Sequence, residues 1–278
     1  MNESLRENII FAWHKKEAAR KLSDISYNEA ATSYCEDNSG RASVNDAAEL
    51  FHEMTDSSLS HDGISTEFAH FCREFAAVVK LNFDDDRDET TSDISPRIAY
   101  LRNSFSDKAY NAFSQSFRFV TAVYFSGFEE PCEEVYYERC SHAMIPVYNS
   151  HDGILMSLYK LLLKYDLKIV SACNIGMGDE SAMRYALTAK SLPSGMDKRY
   201  VDLSVVLSDS KNIGALLHSL EILGAVTVLI NSFPLDYTDE RRGLIMQLDM
   251  KSASTDALRL FLEGSRISHD IIGNYDIL

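Results

Sequence analysis

An acidic polar segment at residues 84–93 divides the chain into two regions with different apolar patterns. Before it, apolar residues recur with helical spacing in three stripes. The stripes consist of Leu5, Ile9, Ala12 and Trp13, then Ala47, Leu50, Phe51 and Met54, and then Phe68, Phe71, Cys72, Phe75, Ala76 and Val79. After it, short apolar runs alternate with amphipathic stretches, which is typical of a parallel sheet with crossover helices. The sequence therefore predicts a three-helix region followed by an α/β region.

The second region contains a further boundary at residues 192–195, Leu-Pro-Ser-Gly. Before it, the pattern predicts strands at 97–101, 143–147 and 167–170 and helices near 106–117, 129–139 and 153–165. After it, the pattern predicts strands at 201–207, 226–230, 244–250 and 270–273 and helices at 212–223 and 255–263. This last order, β-α-β-β-α-β, is that of a ferredoxin-like unit.

Length and charge limit the classes of protein and partner. A chain of 278 residues has room for about two domains and a small third. Lys and Arg total 27 against 42 Asp and Glu, a formal charge of −15, which disfavours nucleic acid and anionic membranes as partners. Because no apolar run reaches about 18 residues, we expect a soluble, cytoplasmic protein.

The short motifs give little support for a metal or a bound cofactor. The five cysteines include no C-x-x-C pair and the eight histidines have no metalloprotease spacing, so neither a metal nor a cofactor is predicted. His-Asp-Gly-Ile occurs at 61–64 and at 151–154, where Asp152 is expected to cap a helix rather than join a catalytic triad. Gly176-Met177-Gly178 is interpreted as a flexible loop. The aromatic residues Phe117, Phe119, Tyr124, Phe125, Tyr136 and Tyr137 are interpreted as core.

The order of the regions and several motifs resemble the bifunctional chorismate mutase–prephenate dehydratase family of phenylalanine biosynthesis. The motifs are Pro146-Val147-Tyr148-Asn149-Ser150 followed by Asp152-Gly153, Ser104-Phe105-Ser106, Gly214-Ala215-Leu216-Leu217 and Ile272-Gly273-Asn274-Tyr275. The resemblance implies a chorismate-mutase-like helical domain at 1–83, an acidic linker at 84–96, a prephenate-dehydratase-like parallel α/β domain at 97–192 and a regulatory ACT-like domain at 199–278.

Departures from the family pattern are concentrated where substrates bind. In the helical domain Arg6 matches a family arginine, but Ser23 and Ala48 stand where two others are expected, and Val79 and Phe83 replace polar residues. One cation cannot neutralise the two carboxylates of chorismate, so we expect no mutase activity. The simpler interpretation is that this region is a three-helix module for dimerisation without catalysis.

The dehydratase-like domain retains part of its implied site. Met183-Arg184-Tyr185 corresponds to the family's Thr-Arg-Phe, so the carboxylate-binding arginine is kept and the catalytic hydroxyl is lost. Asn149 and Ser106 complete the expected catalytic set, with Ser104 as a remnant of substrate binding. Only residues 171–182 separate the strand at 167–170 from Met183, so most of the family's second lobe must be absent.

In the tail, the resemblance implies an amino-acid site formed by Gly214, Ala215 and Leu216 together with Asn231, Ser232 and Phe233, the last three where the family has Glu-Ser-Arg. The leading hypothesis is a divergent homologue, impaired in both reactions, that acts as a regulatory or amino-acid-binding homodimer, or as a tetramer. Its ligand would be an aromatic amino acid or a prephenate-like compound. Two alternatives remain open: an active enzyme on prephenate with a remodelled site around Arg184, Asn149 and Ser106, and a relic that folds but binds none of these ligands.

Overall fold

The computed structural model of the protein describes residues 3–55, 64–83, 96–178, 181–193, 198–207, 212–235 and 242–278, with side chains described from residue 14 onward except at 177 and 178. The predicted linker at 84–96 lies outside this part of the chain except for Pro96, as does the first His-Asp-Gly motif. The helices are α1 (Glu3–Asp37), α2 (Val44–Thr55), α3 (Thr66–Ala76), α4 (Ser104–Ser114), α5 (Glu129–Tyr136), α6 (Met156–Lys164), α7 (Asn212–Ile222) and α8 (Thr255–Gly264).

The strands are β1 (Arg41–Ser43), β2 (Lys80–Asn82), β3 (Arg97–Leu101), β4 (Thr121–Phe125), β5 (His142–Asn149), β6 (Gly153–Ile154), β7 (Lys168–Gly178), β8 (Ser181–Ala189), β9 (Tyr200–Leu207), β10 (Val226–Pro234), β11 (Arg242–Asp249) and β12 (Ser268–Tyr275). Contacts divide the chain into two units. The first contains residues 1–85, 211–224 and 252–267, and the second contains residues 86–210, 225–251 and 268–278.

The first unit is helical, apart from the short parallel pair β1–β2. Helix α3 begins at a residue that satisfies a free N–H group: the Ser65 hydroxyl accepts from the Phe68 N–H, 3.2 Å away. Phe51, Phe68 and Phe71 are at most 1% exposed, and the rings of Phe51 and Phe68 lie 5.0 Å apart. The Phe68 ring also lies 6.3 Å from that of Phe261 in α8. The three predicted N-terminal helices therefore share their apolar core with α8.

The second unit is built on one sheet with the strand order β10-β11-β9-β12-β7-β8-β5-β3-β4, and β6 pairs with β5. The predicted mixed α/β class is confirmed, and the tail strands follow the predicted order along the chain. The tail strands join the middle strands where Gly273 of β12 pairs with Ile169 of β7. One buried core spans both sets of strands, because Ile145 and Val147 share it with Ile245 and Tyr275.

The prediction of a parallel middle sheet is wrong in part. β3 pairs in parallel with β4 and β5, but β8 is antiparallel to both β5 and β7. Residues 171–178, expected to be connection and loop, extend β7 instead. Only residues 179 and 180 then separate β7 from β8, and parallel strands would need a crossover of a dozen residues or more. The motif Gly176-Met177-Gly178 is accordingly part of a strand rather than a loop.

Two further local predictions are corrected. Phe119, Tyr124, Tyr136 and Tyr137 are 44–74% exposed rather than core; the Tyr124 ring carries the Arg102 guanidinium 4.7 Å above it. Asp152 does not cap α6, which begins at Met156 without a side-chain cap. The Asp152 carboxylate accepts from the Asn149 amide at 2.9 Å instead.

Candidate functional site

Arg184 lies in the interior of β8, between two strands that hold its side chain. Directly opposite residues of an antiparallel pair project from the same face, and Arg184 is opposite Tyr148 on β5 and Asn174 on β7. The Arg184 guanidinium lies 5.3 Å from the centre of the Tyr148 ring, and its Nε donates to Asn174 Oδ1 at 3.0 Å. The sheet therefore fixes this guanidinium from both sides.

A buried polar network continues from Arg184 into the tail strands. Arg184 Nη1 donates to Gln247 Oε1 at 2.7 Å, and Gln247 Nε2 donates to Asp202 Oδ1 at 3.2 Å and to the Tyr275 hydroxyl at 2.6 Å. The Asp202 carboxylate also accepts from Tyr275 at 2.9 Å and from Tyr159 of α6 at 2.5 Å. Apart from Arg184, the residues of this network are at most 2% exposed. The hydrogen bonds among them are therefore shielded from water.

The electrostatics of the network centre on Asp202. Burial raises the pKa of the Asp202 carboxyl, against the opposing effect of its three hydrogen bonds and of the Arg184 charge. Burial, and then the nearby Asp202 charge, raise the pKa of both Tyr159 and Tyr275, so both phenols remain protonated donors at neutral pH. With three donors at its oxygens and a guanidinium one amide away, the carboxyl group of Asp202 has its hydrogen-bonding capacity satisfied in the core.

Ser106 and Ser104 lie at the turn from β3 into α4, which Asn103 caps. Asn103 Oδ1 accepts from the N–H groups of Phe105 and Ser106, each at 2.9 Å. The Ser106 hydroxyl accepts from the Asn103 N–H at 2.9 Å and donates to the Leu101 carbonyl at 2.6 Å, and Ser106 is 1% exposed. Ser104 is exposed on the first turn. The Ser106 hydroxyl thus serves the helix cap.

Asn149 and Arg184 project from opposite faces of the sheet. Asn149 pairs with Met183, the neighbour of Arg184 on β8, and successive residues of a strand alternate between faces. The Asn149 amide bonds Asp152, and its Oδ1 accepts from the His151 N–H at 3.0 Å. Met183 packs against the buried cluster that contains Phe113 of α4 and Tyr185. The structure therefore does not bring together the predicted set of Arg184, Asn149 and Ser106.

The remaining predicted site residues are placed as follows. Gly214, Ala215 and Leu216 lie on α7 in the first unit, and Asn231, Ser232 and Phe233 lie on β10 in the second. Phe233 lies opposite Gly243 of β11, where a Cβ would come within 2.4 Å of its ring. Arg6 is in α1, but its side chain is outside the described part of the chain.

At the implied chorismate site, the replacements are part of the hydrophobic core. Val79 is 2% and Phe83 is 7% exposed, and the Arg259 guanidinium lies 3.7 Å from the centre of the Phe83 ring. Arg20, the arginine nearly one helical turn from Ser23, is paired with Glu17 at 3.1 Å on the surface of α1. Two positions where the family faces its substrate with polar groups are therefore apolar and covered.

The structure also has a shallow cavity of about 350 Å³ between the end of α4 and β7. It is lined by Ala112, Gln115, Ser116, Cys173, Asn174, Ile175 and Leu278. Among the described residues, no group of three or more His, Cys, Asp or Glu side chains could hold a metal ion. No helix in the same set of residues has the length and apolar character needed to cross a membrane.

Sequence reasoning found Arg184 but missed the residues that surround it. Tyr148 and Asn174 become its neighbours through strand register, and Gln247 lies 63 residues further along the chain. One signal was available: Asp202 and Gln247 each interrupt an apolar strand, and a polar residue at such a position is buried only if it is hydrogen-bonded.

Residues 98–177 match the family model for prephenate dehydratase. The fold is similar to that of prephenate dehydratase from Streptococcus mutans, with a TM-score of 0.57 and 18% identity over 66% of this chain and 99% of that one. Prephenate dehydratase from Arthrobacter aurescens, solved in complex with L-Phe, gives a TM-score of 0.50 and 13% identity over 64% of this chain and 89% of that one.

The quorum-quenching acylase GqqA has a similar fold as well, with a TM-score of 0.52 and 19% identity over 64% of this chain and 94% of that one. No curated protein matches the sequence. A fold can carry different reactions. In sequence, residues 98–177 are similar to the prephenate dehydratase family, and in fold the chain is similar to prephenate dehydratases from two organisms.

Proposed function

We propose that this protein is a prephenate-dehydratase-like protein of phenylalanine metabolism that binds small aromatic carboxylates through Arg184 and has little dehydratase activity. A guanidinium has five N–H donors that suit a carboxylate. Two of them have partners among the described residues, Asn174 Oδ1 and Gln247 Oε1, and both acceptors are neutral amides. Arg184 can therefore still offer donors and charge to an anionic ligand.

The residue at the position of the family's threonine carries the proposal of impaired catalysis. The position where the family has threonine is Met183, which packs against an apolar cluster. Ser106 donates its hydroxyl proton to the Leu101 carbonyl, and Asn149 faces away from Arg184. Loss of a positioned acid costs a factor of roughly 10² to 10⁴ in rate. In the N-terminal region, the buried Val79 and Phe83 support the absence of mutase activity.

The regulatory part of the proposal concerns the tail and the assembly. The ACT-like assignment is supported by the element order and by the sheet order β10-β11-β9-β12. We infer an amino-acid ligand of the phenylalanine class for the ACT-like region, and a homodimer as the working state. The protein would then signal the presence of its ligand to a partner protein of the pathway, rather than catalyse a step of that pathway.

The test is to measure prephenate turnover and aromatic carboxylate binding with the full chain. We expect no turnover of chorismate and prephenate turnover far below about 1 s⁻¹, the lower end of ordinary enzymes. We expect calorimetric binding of prephenate and of 3-phenylpropionate that is lost in Arg184→Ala. Arg118→Ala, which changes a different arginine of the same domain, is the matched control and should retain binding.

Two outcomes contradict the proposal and separate the alternatives. Prephenate turnover at or above about 1 s⁻¹ that is lost in Arg184→Ala would favour a remodelled enzyme. A thermal shift panel with phenylalanine, tyrosine, tryptophan, prephenate and chorismate that shows no stabilisation would favour a folded relic.

A further inference from the structure

Gln247 reaches Arg184 across the inner face of the sheet rather than along it. In the sheet order, β9, β12 and β7 lie between β11, which carries Gln247, and β8, which carries Arg184. Adjacent strands are about 4.8 Å apart, yet Gln247 Oε1 and Arg184 Nη1 are 2.7 Å apart. The sheet therefore curves enough for these side chains to meet, and the contact ties β11 in the tail to the middle strands.

The surroundings of Gln247 allow only one orientation of its amide. Its oxygen accepts from the guanidinium, and its NH₂ group donates to the Asp202 carboxylate and to the Tyr275 oxygen. A flipped amide would place donors against the Arg184 donors and an oxygen against the carboxylate, and both contacts would be repulsive. Asp202 thus sets the orientation of the Gln247 amide. Gln247 in turn directs its Oε1 acceptor at Nη1 of Arg184.

The Arg184 guanidinium depends on this acceptor for its own orientation. The Asn174 bond is made at Nε and the Gln247 bond at Nη1, so together they fix the guanidinium plane at two points. Asn174 is solvent-exposed, whereas Gln247 is 2% exposed. A buried acceptor holds a side chain more firmly than an exposed one, because water does not compete for its hydrogen bond.

We propose that Gln247, oriented by Asp202, is the positioning residue that holds Arg184 ready for a carboxylate ligand. This inference rests on the proposed function, since it concerns the same guanidinium. It adds a residue from the tail to that site, and the tail strands β9 and β11 thereby bear on the ligand affinity of the middle domain. Displacement of β11 relative to β8 would break the bond and lower that affinity.

The experiment measures two ligands on the same variants. 3-Phenylpropionate carries the carboxylate, and 3-phenylpropanamide has nearly the same shape without the charge. Gln247→Leu should weaken 3-phenylpropionate binding by about tenfold, the value of one well-made hydrogen bond, and should leave the weaker amide binding unchanged. Tyr159→Phe, which removes a donor to Asp202 without touching Arg184, should lower stability and keep the affinity for 3-phenylpropionate.

A ligand-free measurement keeps the inference separate from the proposed function. In ¹⁵N NMR spectra of the arginine side chains, the Arg184 signal is identified by its loss in Arg184→Ala. Gln247→Leu should speed the rotation of the Arg184 guanidinium and broaden its Nη signals. Gln247→Met, which has nearly the size of glutamine and no amide, is a second variant with the same expected change.

The outcomes are distinguishable. Absence of 3-phenylpropionate binding to the wild type, with the NMR change observed, would overturn the proposed function and leave the positioning role. Binding that is lost in Arg184→Ala but kept in Gln247→Leu would overturn the positioning role alone. An equal loss of both ligands in Gln247→Leu would show a merely structural role and would also overturn it.

Discussion

At the scale of single residues, His142 shows how burial sets a charge state in the middle domain. Its Nδ1 lies 2.9 Å from the Ser141 hydroxyl, which donates its own proton to the Arg97 carbonyl at 3.0 Å. The hydroxyl must therefore accept from His142, so the neutral imidazole carries its proton on Nδ1. Burial lowers the pKa of His142 from its usual 6.5 to about 4.

This shift predicts a loss of stability in acid. The unfolded histidine takes up a proton below pH about 6.5, whereas the folded one stays neutral until pH about 4. The folded state is thus fully favoured above pH 6.5 and loses about 3 kcal/mol as the pH falls from 6.5 to 4. Urea unfolding of the wild type and His142→Gln over this range should show a shallower pH slope for the variant. Parallel slopes would mean that His142 is not shielded from water.

From the sequence, a residue of the candidate site could be predicted only where a local motif marks it. Met183-Arg184-Tyr185 could be recognised as a motif, and Arg184 was found in this way. Its partner Gln247 could not, because that pairing depends on the curvature of a whole sheet. Asn149 and Ser106 were chosen from motifs too, but β-strand alternation and helix capping, which depend on exact register, direct their side chains elsewhere.

At the scale of elements, helices and tail strands followed their sequence pattern, while β7 and β8 did not. The apolar run at 167–170 predicted a short strand, but β7 extends to Gly178. Residues 171–178 contain Ser, Asn and Gly, which weaken a strand signal, and their pairing with β8 supplies the stability that propensity lacks. The error in strand direction followed from the same missed hairpin.

A glycine fixes where β12 meets β7. A Cβ on Gly273 would lie 2.7 Å from the Ile169 Cβ, so Gly273→Ala forces the strands apart and should cost about 1–3 kcal/mol. Gly214→Ala is the matched change: its Cβ would meet nothing within 4 Å on α7, and it should stabilise by about 0.5–1 kcal/mol. Urea unfolding at pH 7 checks both. Equal stability of Gly273→Ala and the wild type would contradict the close approach.

At the scale of the whole molecule, the chain folds into units that its linear pattern does not reveal. The sequence predicts a boundary at 84–93, between the first three helices and the start of the α/β region. However, α7 and α8 belong by contact to the helical unit, while the strands around them in sequence belong to the other. Amphipathic patterns show that a helix has an apolar face, but they do not show which distant element covers it.

The edge of the large sheet is where we expect two copies of the chain to meet. Among the described strands, β10 pairs only with β11, and alternate residues Val226, Val228 and Ile230 are 63%, 47% and 45% exposed. An apolar, β-branched edge strand without charged residues readily pairs with another strand. The proposed homodimer would use this edge. Each copy would bury these three apolar side chains, and that burial offsets part of the free-energy cost of association.

Ile230→Lys should therefore convert the dimer to a monomer. The substitution removes an apolar contact and places a charge on the edge strand of each copy, which should raise the dimer dissociation constant by at least about tenfold. Sedimentation velocity over a range of concentrations measures this. Phe119→Lys places the same charge on an apolar residue that is 74% exposed outside β10, and it should sediment as the wild type does. A monomeric wild type, or a dimer that Ile230→Lys leaves intact, would contradict assembly through β10.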